Sequence, residues 1–394
     1  MAKRLLLIFI MFVVADVYFF QAFTTVIHTA FLHKVYWYLD LLLLIRVFTL
    51  VFLRQQGKDI QQLAGNLVTS FLIVFIPKLP AFPILLTEDL FRGLQNFPPR
   101  NTYLSEFVLV LALVLVLIIA FGLTRGRYLY RVREEVLSFS DLPDAFDGFK
   151  ITQISDIHSG SLSNIKAVRK GIALANAQQS DLLLFTGDLV NNKAAEMESW
   201  ISDFTALKAP FGKFSVLGNH DYGDYTPWDS AELKASNLVR LKQIHQEMGF
   251  KLLLNESITI QKKGASIALI GVENWGKGGF HQYGDLSKAT SGLSTDSFNI
   301  LMSHDPSHWD HVTLDHDKHV HLTLAGHTHG MQFGIELFGF KWSPIQYFYE
   351  QWAGLYQKQG KYLYVNRGFG YHGLKGRICV WPEITVITLK KSNL

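Results

Sequence analysis

The sequence predicts an α/β domain with stacked, mixed β-sheets, preceded by an N-terminal region of transmembrane helices. Long apolar stretches fill the first 123 residues, and a polar and charged segment follows them. Short apolar runs then alternate with Gly, Asn and Asp and with helical segments, first as strand and helix in turn and later mostly as strands. This order is typical of an α/β domain with more than one sheet. We therefore divide the chain into a transmembrane region of about four helices (1–123), a linker (124–147) and a folded domain (148–394).

Four apolar stretches each approach the ~20 residues that are needed to cross the hydrocarbon core of a bilayer. They lie at 5–23, 35–53, 67–86 and 107–123. The third contains Pro77, Pro80 and Pro83, which predict a kink or an early end of that helix. The first is longer than the apolar part of a signal peptide and lacks a small-residue cleavage site, so we expect it to be retained.

Charged residues inside these stretches allow two interpretations. Asp16, Asp40 and Arg46 are costly in hydrocarbon, and such residues often mark functional sites. No proton-relay pattern accompanies them, so we favour a structural interpretation. In that interpretation Asp40 lies near a helix end, and Arg46 extends to the interface or pairs within the bundle.

Basic residues that flank the spans predict the orientation of the chain. With four spans, one side carries Lys3, Arg4, Arg54, Lys58, Arg125, Arg127, Arg131 and Arg133. The other side carries Lys34, Lys78, Arg92 and Arg100. This bias places both termini in the cytoplasm, and it predicts a multi-pass protein of the inner membrane with its folded domain on the cytoplasmic side. Three or five spans would reverse that orientation.

The charge distribution argues against a nucleic-acid partner. The net charge is +4, but residues 1–133 contain 13 Lys and Arg against 6 Asp and Glu, whereas the remainder contains 24 against 27. The basic excess therefore belongs to the membrane end. Cys379 is the only cysteine, so neither an intrachain disulfide nor a thiolate metal cluster can form.

The folded domain begins with alternating strands and helices. Strands are predicted at 150–155, 182–186 and 214–217, and helices at 164–178, 194–207 and 231–248. Later strands are predicted at 252–254, 258–260, 266–270, 299–302, 322–325, 362–365 and 384–389.

Polar side chains of the metal-binding type follow five of these strands. They are Asp156 and His158, then Asp188, then Asn219 and His220, then His304, and finally His327 and His329. Ligands bind at the carboxyl ends of strands in open α/β sheets, so we expect these side chains to meet at one edge. A single Asp-x-His or Gly-Asp arises easily by chance, whereas the ordered set points to one site.

The types of side chain indicate the class of metal. Imidazole nitrogens with carboxylate and amide oxygens, and without sulfur, suit Mn, Fe or Zn. Seven such side chains are too many for one ion and suit two ions that share a carboxylate. Two metals about 3.5–4 Å apart can clamp the attacking and leaving oxygens of phosphoryl transfer. We therefore expect two divalent metal ions, with Mn favoured.

These motifs resemble the five motifs of the calcineurin-like metallophosphoesterases, over roughly 149–389. The matching segments are Asp156-x-His158, Gly187-Asp188, Gly218-Asn219-His220-Asp221, His304 and Gly326-His327-Thr328-His329. The segment 303–306 and the tail from Tyr364 resemble a membrane-tethered bacterial branch, which is itself similar to the UDP-2,3-diacylglucosamine hydrolases. Met331 stands where that branch usually has Gly, and we expect it to change the floor of the pocket without touching a ligand.

The resemblance implies a role for each matching residue. Asp156, His158 and His329 would bind a first metal ion; Asn219, His304 and His327 would bind a second; and Asp188 would bridge them. A hydroxide between the metals would attack phosphorus in line. As the catalytic residues, His220 would protonate the leaving oxygen or stabilise the phosphoryl charge, and Asp221 would orient His220.

Three further features have open interpretations. The histidines 308, 311, 316, 319 and 321 look like a metal-binding tract, but we expect mostly solvated loop residues. Asn191 could contact phosphate or cap a helix. The aromatic segment 333–356 could be core or an ordered flap, or a hydrophobic lip that rests at the membrane interface and admits acyl chains.

Together these features predict a membrane-anchored phosphohydrolase that acts on a phosphate ester or pyrophosphate of a lipid-linked substrate. One alternative keeps the enzyme but gives it soluble, nucleotide-type substrates, with the membrane only as an address. Another is a non-catalytic membrane scaffold that retains the metal fold.

Overall fold

The computed structural model describes residues 2–56 and 61–392, without the side chains of 2–9, 61 and 62. Lys58 therefore lies outside the described residues, and nothing is said of the Lys3 and Arg4 side chains. The chain divides into a helical unit, Met1–Thr124 with Gly373–Lys375, and a catalytic unit that contains the remaining residues from Arg125 onward.

The described part of the helical unit contains five α-helices. They are α1 (Ala2–Val26), α2 (Ala30–Gln55), α3 (Gln61–Phe75), α4 (Ala81–Gly93) and α5 (Thr102–Thr124). A 3₁₀ turn at Ile76–Lys78 separates α3 from α4, so the predicted break at the prolines is confirmed. Three apolar segments are long enough to cross a membrane, namely Ala30–Gln55, Leu63–Gly93 and Thr102–Tyr128, and Ile10–Val26 is a shorter apolar helix.

A buried ionic cluster lies inside the helical unit. Lys78 Nζ is 2.5 Å from Asp16 Oδ1 and 2.7 Å from Asp40 Oδ1, and Tyr36 donates a hydrogen bond to Asp16. Asp40 lies within α2, so the expectation that it sits near a helix end is wrong. Arg46 donates a hydrogen bond to Ser70 within the helical unit. Pairing within the bundle was one of the two alternatives predicted for Arg46. Because Lys78 is buried, it does not belong among the flanking residues that set orientation.

The catalytic unit contains two six-stranded sheets and a hairpin. The first sheet has the order β1 (Arg131–Phe139), β14 (Glu383–Lys391), β2 (Lys150–Ile154), β3 (Leu182–Phe185), β4 (Lys213–Ser215) and β5 (Phe250–Leu252). The second has the order β12 (Gly354–Lys358), β13 (Lys361–Val365), β9 (Leu322–Ala325), β8 (Asn299–Met302), β7 (Ala265–Gly271) and β6 (Glu256–Lys262). The hairpin pairs β10 (Ile335–Leu337) with β11 (Phe340–Trp342). The helices are α6 (Ile165–Asn176), α7 (Ile201–Thr205), α8 (Ala231–Glu247) and α9 (Leu286–Thr290).

The central strands of both sheets run parallel and are buried on both faces. Strands β2 to β5 pair in parallel, as do β7, β8, β9 and β13, whereas β14 runs antiparallel to β2. Leu182 and Leu184 of β3 share an apolar core with Ile300 of β8 and Leu322 of β9, so the two sheets pack face to face. Leu183 points to the opposite face, toward α6 and α8. This arrangement brings the carboxyl ends of strands from both sheets to one site.

Several predicted boundaries are wrong. The stretch 124–147 was expected to be a linker, but Arg131–Phe139 is a nine-residue strand that pairs with all of β14. The register is parallel, from Arg131 against Glu383 to Phe139 against Lys391. The helix expected at 194–207 is two 3₁₀ turns followed by the short α7, and β5 lies two residues before the predicted 252–254. The sequence expectation also omitted β10, β11 and β12.

Two histidines of the suspected tract are structural rather than solvated. His308 is fully buried, and its Nδ1 lies 3.0 Å from Ser303 Oγ. His321 is also buried, and its Nε2 lies 2.6 Å from Asp141 Oδ2. The expectation of loop histidines is therefore wrong for these two, while His311 and His319 are exposed.

Removal of Lys78 tests the ionic cluster. Lys78→Met leaves two carboxylates buried without their cation, so we expect a loss of about 3–5 kcal/mol in the free energy of unfolding. Thermal unfolding of the full chain in detergent measures this loss. Adding Asp16→Asn and Asp40→Asn to Lys78→Met should recover most of it, and an unchanged melting temperature in Lys78→Met would contradict the role of the cluster.

Buried His245 predicts a dependence of stability on pH. Burial lowers the pKa of His245 to about 3, and its Nδ1 lies 2.9 Å from Ser215 Oγ. The unfolded state takes up a proton near its ordinary pKa of about 6.5 and the folded state does not, so stability is full above that pH and falls as the pH drops toward 3. Relative to His245→Gln, the free energy of unfolding of the wild type should fall by about 1.4 kcal/mol for each unit that the pH drops within that window. Urea unfolding of both proteins at about pH 7 and pH 5 tests this expectation, which parallel curves would contradict.

Candidate metal centre

The polar side chains predicted from the sequence converge at the carboxyl ends of five strands, three from the first sheet and two from the second. Asp156, Asp188 and Asn219 follow β2, β3 and β4, whereas His304 and His327 follow β8 and β9. Gln153 joins the sheets beneath them, because its amide donates to Thr186 Oγ1 and to the Ala325 carbonyl. The site is therefore built across two sheets rather than along the edge of one.

Asp156, His158 and His329 form the first group of side chains that could hold a metal ion. His158 Nε2 lies 3.0 Å from His329 Nε2, which in turn lies 3.3 Å from Asp156 Oδ1. Asp156 and His158 are fully buried, and His329 is nearly so. The backbone N–H of His327 donates to both carboxylate oxygens of Asp156 and fixes that side chain.

Asp188, His304 and His327 form the second group, and Asn219 lies beside it. His304 Nε2 is 3.1 Å from Asp188 Oδ2. His327 Nδ1 is 2.8 Å from Asn219 Oδ1. The structure therefore brings together all seven side chains that the sequence analysis named as ligands.

The Asp188 carboxylate lies between the two groups. Its Oδ2 is 3.1 Å from His304 Nε2 in the second group and 3.4 Å from His158 Nε2 in the first. Its Oδ1 accepts the backbone N–H of His220 at 2.9 Å. A carboxylate in this position can contribute to both groups at once.

The distances between these atoms fit a metal site. Ligand atoms about 2.1 Å from an ion and about 90° apart are separated by about 3.0 Å. The observed separations of 2.8 to 3.4 Å match such edges. At 3.0 Å the Nε2 atoms of His158 and His329 can share one proton in a hydrogen bond, or both can donate their lone pairs to one cation.

Hydrogen bonds and charge prepare the side chains as ligands. His304 Nδ1 lies 2.7 Å from the Thr186 carbonyl, which can only accept, so Nε2 is the nitrogen that faces the site. Burial and then neighbouring His372 lower the pKa of His158 well below its ordinary value, which keeps that imidazole neutral. Burial raises the pKa of Asp188, but His304 and His220 outweigh it and hold that pKa well below its usual range.

Most of these side chains sit on strained backbone. Asp156, His158, Asp188, His327 and His329 all have φ between 47° and 71°, in the left-handed region that non-glycine residues seldom occupy. Such residues cluster at functional sites, where the surrounding structure enforces them. At Gly187 and Gly218 the two loops meet so closely that an added Cβ would lie 2.5 Å and 2.2 Å from neighbouring atoms.

Asp221, unlike His220, takes a different position from the one that the resemblance implied. The His220 ring packs 5.0 Å from the His158 ring, and its Nδ1 lies 2.7 Å from the Asn191 carbonyl. Both Asp221 oxygens instead accept backbone N–H groups, from Gly218 and Asp188 at one oxygen and from Leu189 and Val190 at the other. The expectation that Asp221 orients His220 is therefore wrong, and the Asn191 carbonyl occupies that position.

The Asn191 side chain lies beside the site, where its contact with phosphate stays a prediction. Its amide donates to Ser161 Oγ, and its Oδ1 lies 3.2 Å from His372 Nδ1. It therefore packs beside the site and caps no helix among the described residues.

Sequence reasoning missed three residues that surround the site. His372 stacks on His158 with ring centroids 4.7 Å apart. Arg377 is fully buried, donates to the carbonyls of Gly368 and Gly370, and lies 3.3 Å from His329 Nδ1. Tyr349 Oη lies 2.9 Å from His327 Nε2. The motifs gave no signal for His372 or Arg377, whereas Tyr349 belonged to the aromatic segment 333–356.

That aromatic segment is divided between the interior and the surface. Trp352 is buried, and its carbonyl accepts a hydrogen bond from Thr328 between the two site histidines. Tyr347 and Phe348 are strongly exposed. Met331 is exposed with φ 55°, a conformation that explains why Gly would be favoured there, and its effect on the pocket remains a prediction.

Comparisons with known proteins agree with this fold. Residues 149–331 match the family model described as calcineurin-like phosphoesterase. Residues 3–127 match the model described as "Probable Calcineurin-like phosphoesterase, transmembrane domain".

Curated relatives match over most of the chain. Metallophosphoesterase YkuE of Bacillus subtilis is 32% identical over 68% of this chain and 87% of its own length. A metallophosphoesterase of Aquifex aeolicus is 27% identical over 67% and 93%. The transmembrane protein with metallophosphoesterase domain of Danio rerio is 26% identical over 72% of this chain, which spans 63% of that relative. The chain therefore belongs to the calcineurin-like metallophosphoesterase family, as a metal-dependent phosphoesterase with a transmembrane domain.

Proposed function

We propose that the chain uses two divalent metal ions to hydrolyse a phosphate ester or pyrophosphate of a lipid-linked substrate. The observation that carries the dinuclear proposal is the position of Asp188, whose Oδ2 lies near His158 of one group and His304 of the other. Asp156, His158 and His329 would hold the first ion, Asn219, His304 and His327 would hold the second, and Asp188 would contribute to both. Imidazole, carboxylate and amide ligands without sulfur suit Mn, Fe or Zn, and we propose Mn as the first of these ions to test.

The protein's own residues position the substrate and move protons. When bound, the two ions supply Lewis-acid polarisation of the phosphoryl group and a nucleophile at neutral pH. His220 Nδ1 donates to the Asn191 carbonyl, which leaves Nε2 as the nitrogen available to substrate. When protonated, Nε2 donates a hydrogen bond to the leaving oxygen. It transfers its proton to that oxygen as the ester bond breaks.

Asp221 acts on Asp188 rather than on His220. It is fully buried and accepts backbone N–H groups from residues 188, 189, 190 and 218, which pins the turn that carries the Asp188 carboxylate. It is therefore a positioning residue that acts through the backbone.

The location follows from the membrane region and its charges. We place the chain in a bacterial inner membrane with the catalytic unit on the cytoplasmic side, because basic residues concentrate on one side of the spans. With Lys78 paired to Asp16 and Asp40, the flanking bias becomes eight against three, where the sequence analysis counted eight against four. A lipid-linked substrate fits an enzyme that is held at the bilayer.

Substitution of Asp188 and His220 tests the chemistry. Asp188→Ala removes the shared carboxylate, so hydrolysis of an aryl phosphate in Mn²⁺ should fall by more than about 10³-fold and bound metal should fall below the wild-type content. His220→Ala should lower kcat by about 10²–10⁴-fold with the metal content unchanged.

The matched control for these variants is Asp144→Ala, which removes an almost fully exposed carboxylate. It should keep full activity and metal content. Full activity in both Asp188→Ala and His220→Ala would refute the assignment, and elemental analysis of each purified protein separates lost metal from lost chemistry.

Asp221→Asn separates the two roles suggested for Asp221. The amide replaces one acceptor oxygen with a donor that faces backbone N–H groups, so we expect a loss of about 2–3 kcal/mol in stability and a loss of metal content. His220→Ala should cost less than about 1 kcal/mol, because its ring is only half buried. If Asp221→Asn lowers kcat while leaving stability and metal content at wild-type values, the positioning role is wrong.

A further inference from the structure

The β10–β11 hairpin has its polarity reversed relative to a water-soluble protein. Its strands pair Ile335 with Trp342, Glu336 with Lys341, and Leu337 with Phe340. Side chains alternate between the two faces of a strand, so Glu336 and Lys341 share one face and the apolar residues share the other. The apolar face is the exposed one, since Ile335, Leu337 and Phe340 are 48%, 58% and 60% exposed.

The polar face of the hairpin packs against the catalytic unit. Glu336 accepts hydrogen bonds from Arg133 at 2.7 Å and from Arg367 at 2.6 Å. The Lys341 ammonium donates to the Ala353 carbonyl and lies 4.8 Å above the Trp352 ring. These contacts fix the hairpin with its apolar face outward. The exposure of the apolar side chains therefore follows from how the hairpin is packed.

The tip of the hairpin also exposes an apolar side chain, and the backbone there is strained as well. Phe338 is 98% exposed and has φ 49°, and Gly339 has φ 83°. Two-residue turns with positive φ at both positions favour Asn, Asp or Gly at the first position, and a bulky aromatic residue is seldom found there. Neither the turn geometry nor contact with water favours Phe at this place, whereas contact with an apolar phase does.

The path of the chain keeps this hairpin near the bilayer. The last apolar helix ends at Thr124, and Arg133, which pairs with Glu336 of the hairpin, is nine residues later. Nine residues span no more than about 32 Å when fully extended. Covalent connection alone therefore keeps Arg133, to which the hairpin is paired, within that distance of the end of the helix.

We propose that the apolar hairpin face, made by Ile335, Leu337, Phe338 and Phe340, inserts into the interfacial layer of the lipid bilayer. Tyr347 and Phe348 extend this surface, since Tyr347 Oη lies 3.5 Å from the indole nitrogen of Trp342 and both residues are about three-quarters exposed. Aromatic and aliphatic side chains at this depth are typical of interfacial membrane contacts.

A cleft beside Tyr347 and Phe348 shares two of its lining residues with the surroundings of His327. It has a volume of about 730 Å³, and its lining includes Tyr347, Phe348, Tyr349 and Phe280. Tyr349 contacts His327, and the Phe280 ring lies 5.0 Å from the His327 ring. Resting on the proposed phosphohydrolase function, the cleft accepts the head group of a phosphorylated lipid whose acyl chains stay in the bilayer.

Fluorescence quenching tests the bilayer contact without any measurement of activity. Phe338→Cys in a Cys379→Ser background gives one thiol for a polarity-sensitive dye on the full chain in phosphatidylcholine vesicles. We expect blue-shifted emission that is quenched by lipids with a nitroxide on the acyl chain and protected from aqueous iodide. Val239→Cys, at an exposed position of α8, is the matched control and should be quenched by iodide alone.

Two results would overturn the proposal. Quenching of the label at 338 by iodide alone would place the hairpin in water. Protection from both quenchers would point instead to a protein partner or a second copy of this chain.

Phe338→Asn tests the route to the site without damage to the fold. Asn suits the first position of this turn, so the variant should fold at least as well as wild type. We expect about a tenfold loss in kcat/KM for a phosphorylated lipid presented in vesicles, with hydrolysis of a soluble aryl phosphate unchanged. Phe338→Trp should retain activity toward the vesicle substrate.

The results of the two assays are distinguishable. An equal effect of Phe338→Asn on both substrates, or on neither, would overturn the proposed route. Absence of aryl phosphate hydrolysis in wild type would instead refute the proposed function, and the fluorescence result would stand independently.

Discussion

The position of the Asp188 carboxylate is the constraint on which the rest of the metal centre depends. Its Oδ2 lies close to His158 from the first sheet and to His304 from the second. To place it there, the chain turns into the left-handed region directly after β3, at a point where Gly187 leaves no room for a Cβ. Buried Asp221 then fixes that turn through three backbone hydrogen bonds and accepts a fourth from Gly218 in its own loop. The position of this one carboxylate thus depends on both sheets, on the close approach of two loops and on the buried carboxylate of Asp221.

The folded state carries costs at this site that an apolar core would avoid. Left-handed backbone costs about 1–3 kcal/mol at each non-glycine residue, and five of the seven proposed ligand residues have it. Asp156 and Asp188 are also buried away from water. Burial of a carboxylate without a neighbouring cation costs free energy. Arg377 supplies one buried cation, but it donates mainly to backbone carbonyls. Divalent metal ions held as proposed would add positive charge here and would stabilise the strained loops through the same ligands.

The strands that carry the site could be predicted from the sequence because they are short apolar runs buried on both faces, as in Leu182–Phe185 and Leu322–Ala325. Strand β1 could not, since it reads RVREEVLSF, alternates in burial and gains its pairing from β14 at the far end of the chain. The same limit applies to side chains. His304 and His327 follow apolar runs, whereas Arg377 acts through carbonyls of a loop that only tertiary structure defines. Asp221 was assigned to the wrong neighbour because sequence adjacency does not show where a carboxylate points.

The corrected first strand also changes what the membrane does for this enzyme. With β1 included, only six residues separate the end of the last apolar helix from the first strand of the catalytic unit, and a cut near Asp141 would remove a strand that pairs along its whole length with β14. A short tether raises the effective concentration of bilayer lipids at the site far above that of a dilute soluble compound. Binding contacts to a lipid-linked substrate can therefore be weak and still suffice, whereas a soluble substrate gains nothing from the tether. The outward apolar face of the β10–β11 hairpin is understandable on the same grounds, because near a bilayer its exposure to water is replaced by contact with lipid.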